Sequence, residues 1–177
     1  HGEDYGFLFE ADNANDNPIR MENVAAWNNT GGLNIATASW TSNKTRHIYV
    51  NHATLGENGG SDGLRVAPEV LSPGVVRNII VYKATRGVNS SVTPSYCNVN
   101  GATVSAYNQT TCSDGCRTNN PLSDGPIPSL RHVTRIEQNS ALKGSGFGGA
   151  DYGANILYRY GADGSRYGDS NYNALTS

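Results

Sequence analysis

Apolar and polar residues alternate along the first half of this chain in short runs, and the runs recur. Three stretches read almost alike: Gly6-Phe7-Leu8-Phe9-Glu10-Ala11, Gly32-Leu33-Asn34-Ile35-Ala36-Thr37 and Gly63-Leu64-Arg65-Val66-Ala67-Pro68. Each is a glycine followed by apolar, any residue, apolar. The glycines stand at 6, 32 and 63, so the repeat is 26 and then 31 residues. A second alignment places Ala25, Ala53 and Ala84 together. Runs such as Ile48-Tyr49-Val50 and Ile79-Ile80-Val81 have the period of two that marks strands. The stretches Asn-Asn-Thr-Gly-Gly (28–32) and Glu-Asn-Gly-Gly (57–60) suit sharp corners, because Asn and Gly tolerate positive φ. No long window carries a helical period.

Short strands, tight corners and a repeat of about 30 residues describe an all-β chain wound as a parallel β-helix solenoid. One coil cannot bury its apolar residues alone, but coils stacked about 4.8 Å apart place equivalent side chains above one another. Phe7, Leu33 and Leu64 then form one inner ladder, and Phe9, Ile35 and Val66 the next. Leu8, Asn34 and Arg65 point to solvent. The same alignment sets Lys83 above His52 and Arg86 above Leu55.

The motif Asn23-x-Ala25-x-x-x-Asn29-x-Gly31-Gly32, followed by glycine, apolar, any, apolar, resembles the right-handed parallel β-helix proteins of the pectate-lyase-like superfamily. The tail from Gly153-Ala154-Asn155-Ile156-Leu157-Tyr158 to Leu175-Thr176 resembles the closing segment of large uncharacterised secreted bacterial β-helix proteins. The coils that carry the first resemblance cover residues 5–90. It implies a right-handed solenoid, placed outside the cell or on its surface, of a kind that hosts lyases, hydrolases and non-enzymes alike.

The 177 residues suffice for one domain spanning 1–177. Residues 1–92 are the regular coils. Residues 93–130, punctuated by Pro94, Pro121, Pro126 and Pro128, form a loop-rich insertion. Residues 131–142 and 151–160 read as final strands, 144–149 as a flexible turn, and 161–177 as a Tyr-rich tail. A net charge of −2 excludes a general attraction to nucleic acid or to an acidic membrane. No apolar run approaches the length that inserts into a membrane. The abrupt start at His1 suggests a processed piece or the C-terminal part of a longer chain. Four Asn-x-Ser/Thr sequons occur, at Asn28, Asn43, Asn89 and Asn108. Cys97, Cys112 and Cys116 leave one cysteine over, and the simplest disulfide joins Cys97 to Cys112 or Cys116 in an oxidising compartment.

Candidate chemistry gathers on one face. A polysaccharide lyase needs a basic residue to take a proton and a cation to neutralise the uronate. Lys83 and Arg86 on one coil, Glu57, Asp62 and Glu69 on the coil below, and Arg65 between them are the candidates for a cationic shelf that holds an acidic glycan. Calcium is the one cofactor this chemistry suggests. Asp12 and Asp16 share a turn, but without the spacing of an EF-hand. A copper brace through His1 would need a partner among His47, His52 and His132 and a β-sandwich, which the coil repeat contradicts. Tyr152, Tyr158, Tyr160, Tyr167 and Tyr172 fit sugar stacking or a cover for the end of the solenoid. Two functions follow. One is a secreted or surface protein that binds or processes polysaccharide, as a lyase or glycoside hydrolase if an enzyme. The other is a structural subunit that stacks head to tail through its ends into filaments.

Overall fold

A computed structural model describes residues 5–10, 19–36, 48–57, 60–67, 74–122, 136–137 and 140–156. Among these the protein is all-β, with one short 3-10 turn over Phe147–Gly149. Nine strands alternate between two sheets as the chain advances. Sheet A holds β1 (Tyr5–Glu10), β3 (Gly31–Ala36), β5 (Asp62–Val66), β7 (Arg86–Ser90) and β9 (Ser105–Asn108). Sheet B holds β2 (Ile19–Trp27), β4 (Ile48–Gly56), β6 (Gly74–Tyr82) and β8 (Ser95–Asn100). Every pairing is parallel, and each strand lies beside the one two places earlier. One strand from each sheet makes a layer, and the layers stack.

The expected inner ladder of sheet A is present. Phe7 aligns with Leu33, Leu33 with Leu64, and Leu64 with Val88. Leu33, Leu64 and Val88 are fully buried. They share one core with Val50, Ala53, Leu55, Ile79, Val81, Cys97 and Val99 of sheet B. Asn34, expected in solvent, is 4 % exposed, whereas Leu8 of the same outer ladder is exposed.

The alanine alignment is corrected. Ala53 lies against Val24 and Ile79, Ala25 against Thr54, and Ala84 follows the end of β6. The layers are unequal in length, so one fixed repeat cannot register both sheets. β8 and β9 lie within 93–130, the stretch expected to leave the coils, and each adds a strand to its sheet. Of the expected final strands, residues 136–137, 140–142 and 151–156 are not strand. The remainder of 131–142 and residues 157–177 lie outside the described residues.

Each strand of sheet B bends in the middle. Register puts Asn23, His52, Asn78 and Tyr96 at equivalent positions, and all four have φ between 50° and 56°. Left-handed backbone costs a non-glycine residue about 1–2 kcal/mol. Four stacked instances therefore mark a turn that every layer repeats. A second ladder follows directly after the strands, through Asn28, Glu57, Lys83 and Gly101. There Asn28 N donates to Gly56 O, Glu57 N to Tyr82 O and Lys83 N to Asn100 O.

Candidate functional site

Of the six residues singled out from sequence, Glu57, Asp62, Lys83 and Arg86 fall at one corner, where sheet B hands the chain to sheet A. Glu57 and Lys83 are neighbours on the ladder that ends sheet B, with Lys83 Nζ 3.5 Å from Glu57 Oε1. Lys83 holds its proton more tightly than usual, first through Tyr82 and then through Glu57. Asp62 opens β5 opposite Arg86 on β7, and Arg86 Nε lies 2.5 Å from Asp62 Oδ1. Asp62 is 1 % exposed, and its second oxygen accepts Asn89 Nδ2 at 2.9 Å.

The expected stacking of Lys83 on His52 and of Arg86 on Leu55 is therefore corrected to Lys83 on Glu57 and Arg86 on Asp62. The shelf is a pair of ion pairs rather than a cationic surface. Arg65 stands three residues into β5, in register with Asn34 and Asn89, and has no carboxylate partner among the described residues. Glu69, Asp12, Asp16, His1, His47 and His132 lie outside the described residues. Among the described residues no three His, Cys, Asp or Glu side chains gather as a metal site, so the calcium expectation gains no ligand set here.

An aromatic pair completes this corner. Trp27, Gly56 and Tyr82 are in register on β2, β4 and β6. Gly56 carries no side chain, so the Trp27 and Tyr82 rings close over it, 5.9 Å apart and 18° from parallel. A Cβ at Gly56 would sit 2.0 Å from the Trp27 ring. Trp27 Nε1 donates to Glu57 Oε2 at 3.2 Å, which ties the rings to the Glu57–Lys83 pair.

A second constellation was missed from sequence. It runs along the outer face of sheet B, across the layers. Arg20 Cζ lies 4.6 Å from the Tyr49 ring centroid, and Arg77 Cζ 5.7 Å from the same ring. Arg77 also lies 4.1 Å from the Phe147 ring. Phe147 meets Tyr96 edge-on at 5.7 Å, Tyr96 leans on Tyr152, and Arg117 faces Tyr152 at 5.7 Å. Guanidinium groups and rings thus alternate from Arg20 through Tyr49 and Arg77 to Phe147, and ring contacts lead on through Tyr96 to the buried Tyr152. Arg77 Nη2 donates to Tyr49 Oη at 3.3 Å, and Arg77 pairs with no carboxylate among the described residues. Arg20 is 65 % exposed and pairs with Glu22 at 2.9 Å. Glu22 stays ionised to lower pH than usual, chiefly because Arg20 donates to it, with the Asn51 amide assisting. The sequence does carry a signal: Ile19-Arg20-Met21 and Ile48-Tyr49-Val50 alternate alike, so their middle residues share an outer face.

Phe147 reaches this face on a segment that straps the bends of sheet B. Phe147 N donates to Asn78 Oδ1, Gly153 N to Asn78 O, Ala154 N to Thr54 Oγ1 and Asn155 N to Asn23 Oδ1. His52 Nδ1 lies 3.2 Å from Gly153 O, and since a carbonyl only accepts, Nδ1 carries the proton. Beneath the strap Ile80, Ile136, Leu142 and Tyr152 form a small second core. Tyr152 donates to Gly115 O and is fully buried, so it packs and is not open for stacking.

The disulfide expectation is also corrected. Cys112 and Cys116 are bonded, and Cys97 is free. Cys97 lies in register with Ile79 on the inner face of β8, where burial pushes its thiol up to about 12. The bonded loop instead lies along the edge of β8. Tyr96 N donates to Asp114 O, Val99 N to Arg117 O and Arg117 N to Cys97 O. It occupies backbone groups that an edge strand would otherwise expose.

Comparison with protein-family models, with curated proteins and with solved structures finds no match. What fold and site define is a class: an all-β protein of two stacked parallel sheets. It carries one disulfide-closed loop at a sheet edge and, on an outer face, the alternating line Arg20, Tyr49, Arg77 and Phe147. No helix among the described residues is long and apolar enough to cross a membrane. The disulfide points to an oxidising environment.

Proposed function

We propose that this is a secreted or surface protein of the right-handed parallel β-helix type, similar to the pectate-lyase-like proteins, that binds acidic polysaccharide along the outer face of sheet B. Strands that alternate between two parallel sheets agree with that winding, and parallel crossovers are right-handed in nearly all proteins. The observation that carries the function is the line Arg20, Tyr49, Arg77 and Phe147. A ring offers its apolar face to the C–H face of a sugar, and a planar guanidinium fits a carboxylate or sulfate. Repetition along the stacking direction suits a repeating polymer better than a single small molecule. The reading is one of binding: Glu22, Glu57 and Asp62, the carboxylates on these faces, are each held by a cation or an amide.

Titration calorimetry of the full chain against polygalacturonate, with dextran as the neutral control, tests this. The acidic polymer binds, salt weakens binding, and Arg77→Ala lowers affinity about tenfold, equivalent to ~1.4 kcal/mol, with circular dichroism unchanged. Equal binding of both polymers, binding of neither, or an unaffected Arg77→Ala would overturn it.

A structural role through end-to-end stacking is the second reading. It draws on β9, the terminal strand of sheet A among the described residues, because the free edge of a parallel strand can take another strand. Filaments seen by electron microscopy at neutral pH would favour it.

A further inference from the structure

We propose that Asn28 is an acceptor site for an N-linked oligosaccharide, and that folding closes the sequons at Asn89 and Asn108. Asn89 is 8 % exposed, and both ends of its amide are engaged. Its Nδ2 donates to Asp62 Oδ2 at 2.9 Å, and its Oδ1 accepts Asn108 Nδ2 at 3.0 Å. The Asn108 nitrogen is thereby engaged too. A sugar on the Asn89 nitrogen would have to enter a buried place beside Asp62, and one on the Asn108 nitrogen would crowd the bond it makes to Asn89.

Asn28 is arranged in the opposite way. It sits at the corner after β2 with φ 59°, a conformation that Asn adopts more readily than most residues. Its backbone is fixed, since Asn28 N donates to Gly56 O and Gly60 N donates to Thr30 O. Both Asn28 and Thr30 are exposed. The Asn28 side-chain amide makes no hydrogen bond among the described residues, so neither partner nor space has to be surrendered. Asn43 lies outside the described residues.

The donor is a lipid-linked diphospho-oligosaccharide. Asn28 Nδ2 bonds to the anomeric carbon of the first sugar, the carbon–oxygen bond to the diphosphate breaks, and the lipid diphosphate leaves with that electron pair. One amide proton passes to base. This requires export through a compartment that supplies the donor, in keeping with the disulfide. The glycan would stand beside Glu57 and Lys83 on the next layers of the same ladder. Arg20 is at the other end of β2, so the guanidinium–aromatic line stays open.

Folded full-length protein, incubated with a purified oligosaccharyltransferase and its lipid-linked donor, gives the test, with intact mass and fragment-ion sequencing as the readout. One glycan is expected on Asn28. Asn28→Gln and Thr30→Ala lose it, and Asn89→Gln keeps it. A secreted preparation from a eukaryotic host serves as the second measurement and should show the same site. An unmodified Asn28 beside a modified control peptide would overturn the assignment, as would a glycan on Asn89 of the folded protein. Polygalacturonate binding by the glycosylated and bare proteins should be equal, so this proposal can fail without the preceding one.

Discussion

Cys97 shows how much a single position depends on its neighbours in space. In the sequence it is one of three cysteines in a proline-punctuated stretch, and the simplest reading bonds it to Cys112 or Cys116. In the fold its side chain turns inward against Ile79, while Cys112 and Cys116 meet with 6.0 Å between their Cα atoms. The thiolate is the reactive form, and burial raises the Cys97 thiol far above the usual range. Native protein at pH 8 should therefore take up no alkylating label. Unfolding without a reductant should expose one thiol, and unfolding with a reductant three. Mass spectrometry counts them, and a different ladder of counts would contradict this pairing. Asn34 carries the same lesson: alternation points it to solvent, yet in the fold it is buried.

Among elements, the strap over sheet B depends most on one residue. Asn78 is buried and has φ 55°. Its Nδ2 donates to Asn51 Oδ1 at 2.9 Å, and its Oδ1 accepts Phe147 N at 2.8 Å. Losing such bonds at a buried site costs about 1–3 kcal/mol for each group left unpaired. Asn78→Gly tolerates the left-handed backbone and removes the side-chain bonds, with a smaller share of the effect coming from glycine's freedom in the unfolded chain. The expected outcome is a fall of about 2–3 kcal/mol in stability by urea unfolding, with faster amide exchange at Phe147. Unchanged exchange there would mean that the strap is held from elsewhere. The strap was not legible in the sequence, since its partners Asn23, Thr54 and Asn78 lie 69 to 132 residues away along the chain and reveal no period with it.

For the whole molecule, a net charge of −2 offers no long-range pull on a polyanion, so recognition has to rest on local groups. Acid changes that balance in two ways: net charge rises generally, and Glu22 releases Arg20. The folded Glu22 carboxyl is depressed, so its contact with Arg20 is intact above the ordinary carboxylate range and is lost as pH falls through the lower folded value. A sulfated glycan keeps its own charge through that range. Its affinity should climb as pH falls, and climb more for the natural chain than for Glu22→Gln, which isolates the local part; identical slopes would exclude Glu22. The sequence by itself determined the all-β class, the recurrence of short strands through the first half and the Phe7–Leu33–Leu64 ladder, because alternation and repeat length are local properties that apolar burial reads directly. It did not determine the charge pairs, the guanidinium–aromatic line, the disulfide or the strap. Those follow from register, and register depends on unequal layers: sheet A advances 31 residues from Leu33 to Leu64, while sheet B advances 26 from Ala53 to Ile79. Only the closed core, which both sheets must fill together, decides how those different lengths come into step.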